Sequence, residues 1–440
     1  NHVIKNNCER KDKKLWTDNE KGKQVVVENV IDSDEEAYFV ANKIEELISK
    51  GHKLSDFAIL YRTNTQSRAF EEVFMRRNIS YRIVGGLRFY DRKEIKDIIA
   101  YLRLIQNPID DISLKRIINV PKRGIGNVTL ERIERYANET SKSLYSTILD
   151  IDKIPGISKR TKDNLKTFTH MIDSLSTMKE SMNLKEFIES IIYKTGYAKE
   201  LQAEDSIESQ TRLDNIMEFI SVAVDFEVTS PEGNLEDFLA KISLLSDVDK
   251  TADIDNTVTL LTVHSAKGLE FPVVFMVGME EELFPIARAV SNESQLEEER
   301  RLCYVAMTRA EKLLYITHAR IRTIYGRTSY TLPSRFIKEI PIELLSTPSR
   351  MTKSEPRDKR ERLIKVLDFS NNIKDAKPKK MIYSEKIKEG TKINHDKWGI
   401  GTIVQIKDRD DDKEVMIAFE KVGLKRLLLS IAPIEIAKGE

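Results

Sequence analysis

The sequence predicts an α/β protein: a parallel-sheet domain, interrupted by an all-helical stretch and followed by a small β module. Three observations carry that prediction. Phe57–Tyr61 (FAILY), Thr257–Val263 (TVTLLTV) and Phe271–Gly278 (FPVVFMVG) are short apolar runs. Such runs fit strands covered on both faces by helices. Between about 87 and 254 the pattern is helical, with turn signals at Asn107-Pro108, Pro121, Pro155-Gly156, Gly196 and Pro231–Gly233. From Gly390 onward the period shortens to brief strands split by turn residues.

Composition narrows the possibilities. The 440 residues leave room for roughly three domains. Net charge is +1 at pH 7, so no global field advertises a polyanionic partner and any nucleic-acid site must be local. Cys8 and Cys303 are far apart in sequence and offer neither a metal spacing nor a disulfide framework, which fits a reducing, cytoplasmic setting. The N-terminal residues are polar and no apolar run approaches membrane-spanning length, so neither a secretory signal nor a membrane segment is expected.

Taken in order, Gln24–Asn29 is expected as a strand. Glu35–Ser49 is expected as a helix with Phe39, Ile44, Leu47 and Ile48 inward. Phe57–Tyr61 runs into Arg62, Thr63, Asn64 and Thr65, then a helix to about Arg77. Short polar side chains ahead of a helix either cap it or, with its free N–H groups, hold a phosphate; both readings stand. Ser80–Gly85 is a short strand, Gly85-Gly86 a turn, and Asp91 with Glu94 resembles a capping box. Ile95, Ile98, Ile99, Leu102 and Ile105 then share one helical face.

Inside the helical stretch, Pro121–Gly126 reads PKRGIG ahead of a helix at Thr129–Tyr136. Gly-hydrophobic-Gly lets backbone N–H groups approach a phosphate, with Lys122 and Arg123 supplying charge. The alternative is a plain helix–helix turn. Pro155–Arg160 (PGISKR) is a weaker second copy.

The core of the chain is the polar loop His264–Glu270, set between two apolar runs, with Gly268 its only glycine. Such a loop has no packing reason to carry His, Lys and Glu together, and strand ends in open α/β sheets are where ligands bind. Lys267 with Glu270 also reads as one local ion pair. Glu297–Ala310 is expected as a helix with Leu302, Val305, Ala306 and Ala310 on one face and Glu297–Glu299 at its N-terminus. Arg309 ends it, and either satisfies the helix C-terminus or serves a ligand.

TVHSAKGLEFPVVF followed by EEERRLCYVAMTRA resembles motifs V and VI of superfamily 1 DNA helicases of the UvrD/Rep/PcrA group, nearest to the PcrA branch. The resemblance extends from Asn1 to about Ile436. It implies a RecA-like, P-loop NTPase-type motor domain over 1–86 and 255–345, with a helical insertion at 87–254. The insertion's helix-hairpin-helix, Lys122, Arg123, Gly124, Ile125 and Gly126, would grip duplex DNA. A basic linker over 346–389 and a Tudor-like β-barrel over 390–440 follow, the barrel implying RNA polymerase as a partner. The implied activity is ATP-dependent 3′–5′ translocation on single-stranded DNA and at single/double-strand junctions, in repair and replication, in the bacterial cytoplasm and nucleoid.

By the same resemblance, Arg309 is an arginine finger on the γ-phosphate and Glu270 the ribose contact, with Gly268 in the same ATP-binding loop. Lys267 couples that loop to the rest of the ATP site, and His264 faces DNA. YRTN, Tyr61–Asn64, resembles motif IVa, in which Asn64 contacts the single strand with Arg62 beside it. Ile324-Tyr325-Gly326 matches an aromatic-Gly position that stacks a base; a structural tyrosine is the alternative. Ile286 stands where relatives carry a polar DNA contact, a departure that puts that one contact in doubt.

The sequence contains no GxxxxGK[ST] loop. ATP with Mg2+ is the implied cofactor, and its P-loop, its Mg2+ ligands and motifs III and IV are expected in an N-terminal half outside this chain. The expectation is thus the C-terminal half of a helicase, inactive in hydrolysis by itself. The competing class is a non-enzymatic protein binding DNA junctions or RNA polymerase. Residues 350–389 carry 13 Lys and Arg against 7 Asp and Glu, read as a solvated tether. Strands are expected at Thr391–Asn394, Gly401–Lys407, Glu414–Phe419 and Leu424–Leu429, with Trp398 either a surface anchor or core.

Overall fold

The computed structural model describes residues 1–8, 16, 22–247, 256–346, 388–395, 399–409, 412–419, 423–428 and 434–436. Trp398 and almost all of the basic 350–389 stretch lie outside the described residues. The chain forms two units. One combines Asn1–Arg92 with Lys241–Asp368; the other combines Lys93–Ala240 with Phe369–Glu440.

The first unit is built on strands β1 (Val25–Val30), β2 (Phe57–Tyr61), β3 (Tyr81–Val84), β4 (Val258–Thr262), β5 (Phe271–Met276), β6 (Ala310–Ala319) and β9 (Leu345–Ser346), in the order β3-β4-β2-β5-β6-β1-β9. Every pairing in this sheet is parallel. That explains the unbroken apolar runs: Phe57, Ile59 and Tyr61 of β2 pack into one core, while Ala58 and Leu60 pack into the other. Helices α1 (Ser33–Ile48) and α2 (Ser67–Arg76) cover the first face. Phe275 stacks on Tyr315 there with ring centroids 4.8 Å apart; a buried aromatic of this kind is worth ~3–5 kcal/mol against truncation to Ala.

α1 starts where Asp32 accepts a hydrogen bond from the Glu35 amide at 2.8 Å, and Glu35 reaches back to the Ile31 amide at 2.7 Å. Ala37, Val40, Ala41, Ile44 and Leu47 form its buried stripe, whereas Ile48, expected inward, is 38 % exposed at the last turn.

After the helices of the second unit and β4 and β5, the chain makes α12 (Ala287–Val290), α13 (Glu293–Met307), the hairpin β7 (Ile321–Ile324) and β8 (Arg327–Tyr330), and α14 (Arg335–Lys338). Cys303 and Ala306 of α13 and Phe336 of α14 cover the second face. α13 begins four residues earlier than expected, capped by Asn292 on the Gln295 amide at 3.0 Å. Glu297–Glu299 therefore do not serve the helix dipole. Glu297 and Glu299 are buried and hold specific partners instead.

The helices of the second unit run as α3 (Lys93–Gln106), α4 (Asp111–Ile117), α5 (Asn127–Thr140), α6 (Leu144–Leu149), α7 (Lys159–Met178), α8 (Leu184–Thr195), α9 (Tyr197–Glu204), α10 (Ile207–Thr229) and α11 (Leu235–Asp247), the last reaching into the first unit's segment. The predicted face of α3 is buried throughout. Its Glu94 accepts from the Asn215 amide at 2.5 Å. Gly196 ends α8 in the left-handed region, at φ 76°.

The terminal strands β10 (Lys392–His395), β11 (Gly399–Arg409), β12 (Asp412–Phe419), β13 (Gly423–Leu428) and β14 (Ile434–Ile436) form an antiparallel sheet in the order β13-β12-β11-β10-β14. Ile393, Ile403, Val415, Ile417, Phe419 and Leu427 make its core. The expected β module is present, with β14 as an additional strand. Among the described residues no pairing joins β13 to β14, so a closed barrel is not shown.

Candidate functional site

In the parallel sheet, β2 and β4 end side by side, with the Val263 amide donating to the Tyr61 carbonyl at 2.9 Å. Arg62 and His264 follow these two ends directly. The Gln66 side-chain oxygen accepts from the Arg62 and Thr63 amides at 3.0 and 2.9 Å, folding residues 62–66 into a tight turn ahead of α2. Arg62 is not free for a ligand on all sides: its Nε and Nη2 grip the Glu299 carboxylate at 2.9 and 2.7 Å. The two side chains are 12 % and 5 % exposed, so this is a largely buried bidentate pair. Nη1 remains. Desolvation, and then the Arg62 charge, hold His264 below its ordinary pKa.

The connection from β4 to β5 crosses the sheet face from the C-terminal ends of the strands to their N-terminal ends. Ala266 is fully buried and anchors the crossing. Lys267, Gly268, Leu269 and Glu270 are exposed. Gly268 has φ 86°, and a Cβ there would meet no atom within 4 Å; conformation rather than space demands glycine. Among the described residues no ion pair joins Lys267 to Glu270.

At the other end of that crossing lies Arg309. The Phe271 amide donates to the Arg309 carbonyl at 2.9 Å, placing Arg309 beside Glu270. The Arg309 guanidinium donates to the Val305 carbonyl (3.1 Å), the Thr308 hydroxyl (3.1 Å) and the Leu269 carbonyl (2.9 Å). It thus satisfies the end of α13 and ties that helix to the polar loop at once. Three of its five donors are used.

Tyr325 and Gly326 form the two-residue turn of the β7–β8 hairpin, at φ 54° and 68°. That is the geometry of a type I′ turn, which favours Asn-Gly. A bulky ring with positive φ is a steric outlier, and Tyr325 is 40 % exposed. At the hairpin's base, Arg322 sits between two buried carboxylates. It donates to Glu280 through Nε at 2.6 Å and Nη2 at 2.5 Å, and to Glu36 through Nη2 at 2.8 Å. Burial opposes its charge, but Glu280 and Glu36 hold its pKa above the ordinary value.

In the helical unit, Lys122, Gly124 and Gly126 are exposed while Ile125 is buried. Gly124 has φ 70°. Asn119 organises the turn: its Oδ1 accepts from the Arg123 and Ile125 amides at 2.8 and 3.2 Å. Arg123 has intramolecular partners as well. Its guanidinium points inward over the Phe168 ring, donating to the Ile117 carbonyl at 3.1 Å, the Pro121 carbonyl at 3.2 Å and the Tyr101 hydroxyl at 2.7 Å. Half-buried, it caps the end of α4. In the weaker copy, Arg132 donates to the Gly156 carbonyl. Among the described residues no cluster of three His, Cys, Asp or Glu is placed to hold a metal ion, and no helix is long and apolar enough to cross a membrane.

Sequence reasoning missed Glu299, Asn119 and the Glu36–Arg322–Glu280 cluster. Only Asn119, four residues ahead of Arg123, had a local signal, since Asn commonly ties its own neighbouring backbone in turns.

Residues 1–320 match the UvrD-like helicase C-terminal domain, and residues 390–436 match the PcrA/UvrD tudor domain. The ATP-dependent DNA helicase PcrA of Staphylococcus epidermidis is 46 % identical over 440 residues, covering 99 % of this chain and 59 % of the relative. The PcrA helicase of Staphylococcus aureus is 45 % identical over 439 residues, covering 99 % of this chain and 60 % of the relative. The chain therefore spans about three fifths of the length of these relatives. With its parallel sheet, its crossing loop and these matches, the chain belongs to the UvrD-like helicase C-terminal domain family of superfamily 1.

Proposed function

We propose that the chain is the second motor half of an ATP-driven 3′–5′ DNA translocase, completed by a segment that carries the P-loop. One observation carries this reading. The loop His264–Glu270 links one end of the sheet to the other, so the DNA candidates Arg62, Asn64 and His264 and the nucleotide candidates Glu270 and Arg309 sit at the two ends of a single connection. The Arg309 bond to the Leu269 carbonyl ties the nucleotide end to that loop.

The residues at the nucleotide end fit ATP. Glu270 offers an exposed carboxylate for ribose hydroxyls, and Arg309 has donors left for an anionic oxygen. When bound, ATP with Mg2+ supplies the phosphoryl group whose transfer powers movement, its metal ligands lying in the completing segment. Lys267, exposed in the same loop, couples to that segment. At the DNA end, Asn64 holds the strand's backbone and Tyr325 stacks a base. In the insertion, which we place at 87–254, Lys122 neutralises a duplex phosphate beside the Gly124 and Gly126 backbone. Arg123 acts through the fold of that turn. The module at 390–440 docks RNA polymerase, with Ile400 and Val404 exposed on β11 as its apolar contacts.

The test of the DNA half is fluorescence anisotropy of a labelled oligo(dT) with the 440-residue chain. Asn64→Ala and Tyr325→Ala should each weaken binding; unchanged affinity in both refutes the assignment. A second reading, a chain that binds DNA without hydrolysing ATP, is favoured by the three intramolecular bonds of Arg309. It requires that no added P-loop segment restore turnover.

A further inference from the structure

Asn64 has a feature that its neighbours lack. Its side-chain amide has no hydrogen-bond partner among the described residues, while its backbone carbonyl is held from several sides. The Arg92 Nη2 donates to that carbonyl at 3.0 Å and contacts the Ser67 hydroxyl at 3.1 Å. The Ser67 amide also points at the Asn64 carbonyl. The Ser67 hydroxyl lies 2.6 Å from the Glu71 carboxylate and 2.8 Å from the Asn64 carbonyl. With one proton to give, it donates to the closer acceptor, Glu71, and accepts from Arg92. The other Glu71 oxygen takes the Phe89 amide at 3.0 Å, and Arg92 Nε reaches the Leu87 carbonyl at 3.4 Å.

Glu71, Ser67 and Arg92 are 2 %, 0 % and 7 % exposed. Arg92 also lies over the Phe89 ring, 5.2 Å from its centroid. A buried polar network that is fully connected fixes one geometry. This one converges on the backbone of the residue whose side chain is uncommitted. The Gly85-Gly86 turn lies beside that side chain: a Cβ at Gly86 would stand 3.8 Å from the Asn64 side-chain oxygen.

We propose that Glu71, Ser67 and Arg92 are positioning residues that pre-set the Asn64 side chain for a single-stranded nucleic-acid backbone. The proposal rests on the reading of Asn64 as a DNA contact. Pre-organised donors lose less on binding than mobile ones.

The experiment is a double-mutant cycle on the 440-residue chain with labelled oligo(dT): Asn64→Ala, Arg92→Lys and both together, with thermal unfolding followed in parallel. Lysine keeps the charge but cannot span the three acceptors. Asn64→Ala should weaken binding about tenfold, and Arg92→Lys about fivefold with a cooperative transition retained. The double variant should bind about as weakly as Asn64→Ala alone, because without its amide there is nothing left to position. If Arg92→Lys does not fold, Ser67→Ala, which deletes only the linking hydroxyl, takes its place in the cycle. Losses that multiply in the double variant, or unchanged affinity in Arg92→Lys and Ser67→Ala, overturn the proposal. Unchanged affinity in Asn64→Ala overturns the reading of Asn64 as a DNA contact, and the proposal with it.

Discussion

Replacing Arg322 by Met should destabilise the sheet unit in a way that depends on pH. The guanidinium makes three short charge-assisted bonds to Glu280 and Glu36, which are 0 % and 1 % exposed. Without it, Glu36 keeps the Gly278 amide and the Thr317 hydroxyl, and Glu280 keeps the Ala319 amide. Two buried carboxylates then face each other without a cation, and one must stay protonated. From an unfolded value of about 4.3, holding a Glu neutral at pH 7 costs about 3.7 kcal/mol, and at pH 5 about 1 kcal/mol. The first figure falls within the ~3–5 kcal/mol expected for removing one partner of a buried pair. The sign follows from a folded pKa raised above the unfolded one: the penalty is absent below about pH 4.3 and grows as pH rises. Urea titrations read by hydrogen–deuterium exchange of β6 peptides, at both pH values, measure it. A loss below about 1 kcal/mol at pH 7, or one that does not shrink by pH 5, would rule out a buried carboxylate as its source.

Other expectations follow from the same geometry. Lys122→Ala should lower the salt dependence of duplex binding by about one unit of log–log slope and leave stability alone. Arg123→Ala should instead unfold the helical unit at a lower temperature, by ~2–4 kcal/mol, because a stacked, inward fork is lost; calorimetry and anisotropy separate the two. Tyr325→Asn should relax the left-handed turn and stabilise the hairpin, yet lose ~1–3 kcal/mol of oligo(dT) affinity. Because burial and Arg62 keep His264 below the ordinary 6.5, a bound phosphate should draw a proton onto it. Affinity should then rise as pH falls below about 6.5, with His264→Gln flattening that rise in anisotropy titrations. The free chain has the opposite sign: stability from neutral His264 is present above about pH 6.5 and lost as pH falls through its lowered folded value.

The strands of the sheet were legible because a parallel sheet buries both faces and leaves uninterrupted apolar runs such as FAILY. The crossing loop was legible for the converse reason, as polar residues where packing wants none. What stayed hidden were the long-range pairings. Arg62 meets Glu299 across 237 residues, and Arg322 meets Glu36 across 286. No periodicity marks a charged residue as buried; only the partner does. The inward bonds of Arg123 were hidden for the same reason, since an arginine beside Gly-Ile-Gly looks alike whether it faces phosphate or the carbonyls of α4. At the end of α13 the helix-closing reading of Arg309 is met by its bond to the Val305 carbonyl, and the same side chain also reaches the loop at Leu269.

Reconstitution tests the motor-half reading at its root. The 440-residue chain would be combined with a segment carrying the GxxxxGK[ST] loop that the family resemblance places upstream, and DNA-stimulated ATP hydrolysis measured with Arg309 intact and as Arg309→Ala. The reading predicts no turnover by the chain alone, turnover on mixing, and a loss of about 10³–10⁵ in rate for Arg309→Ala. Turnover by the chain alone, or restored turnover indifferent to Arg309→Ala, would contradict it.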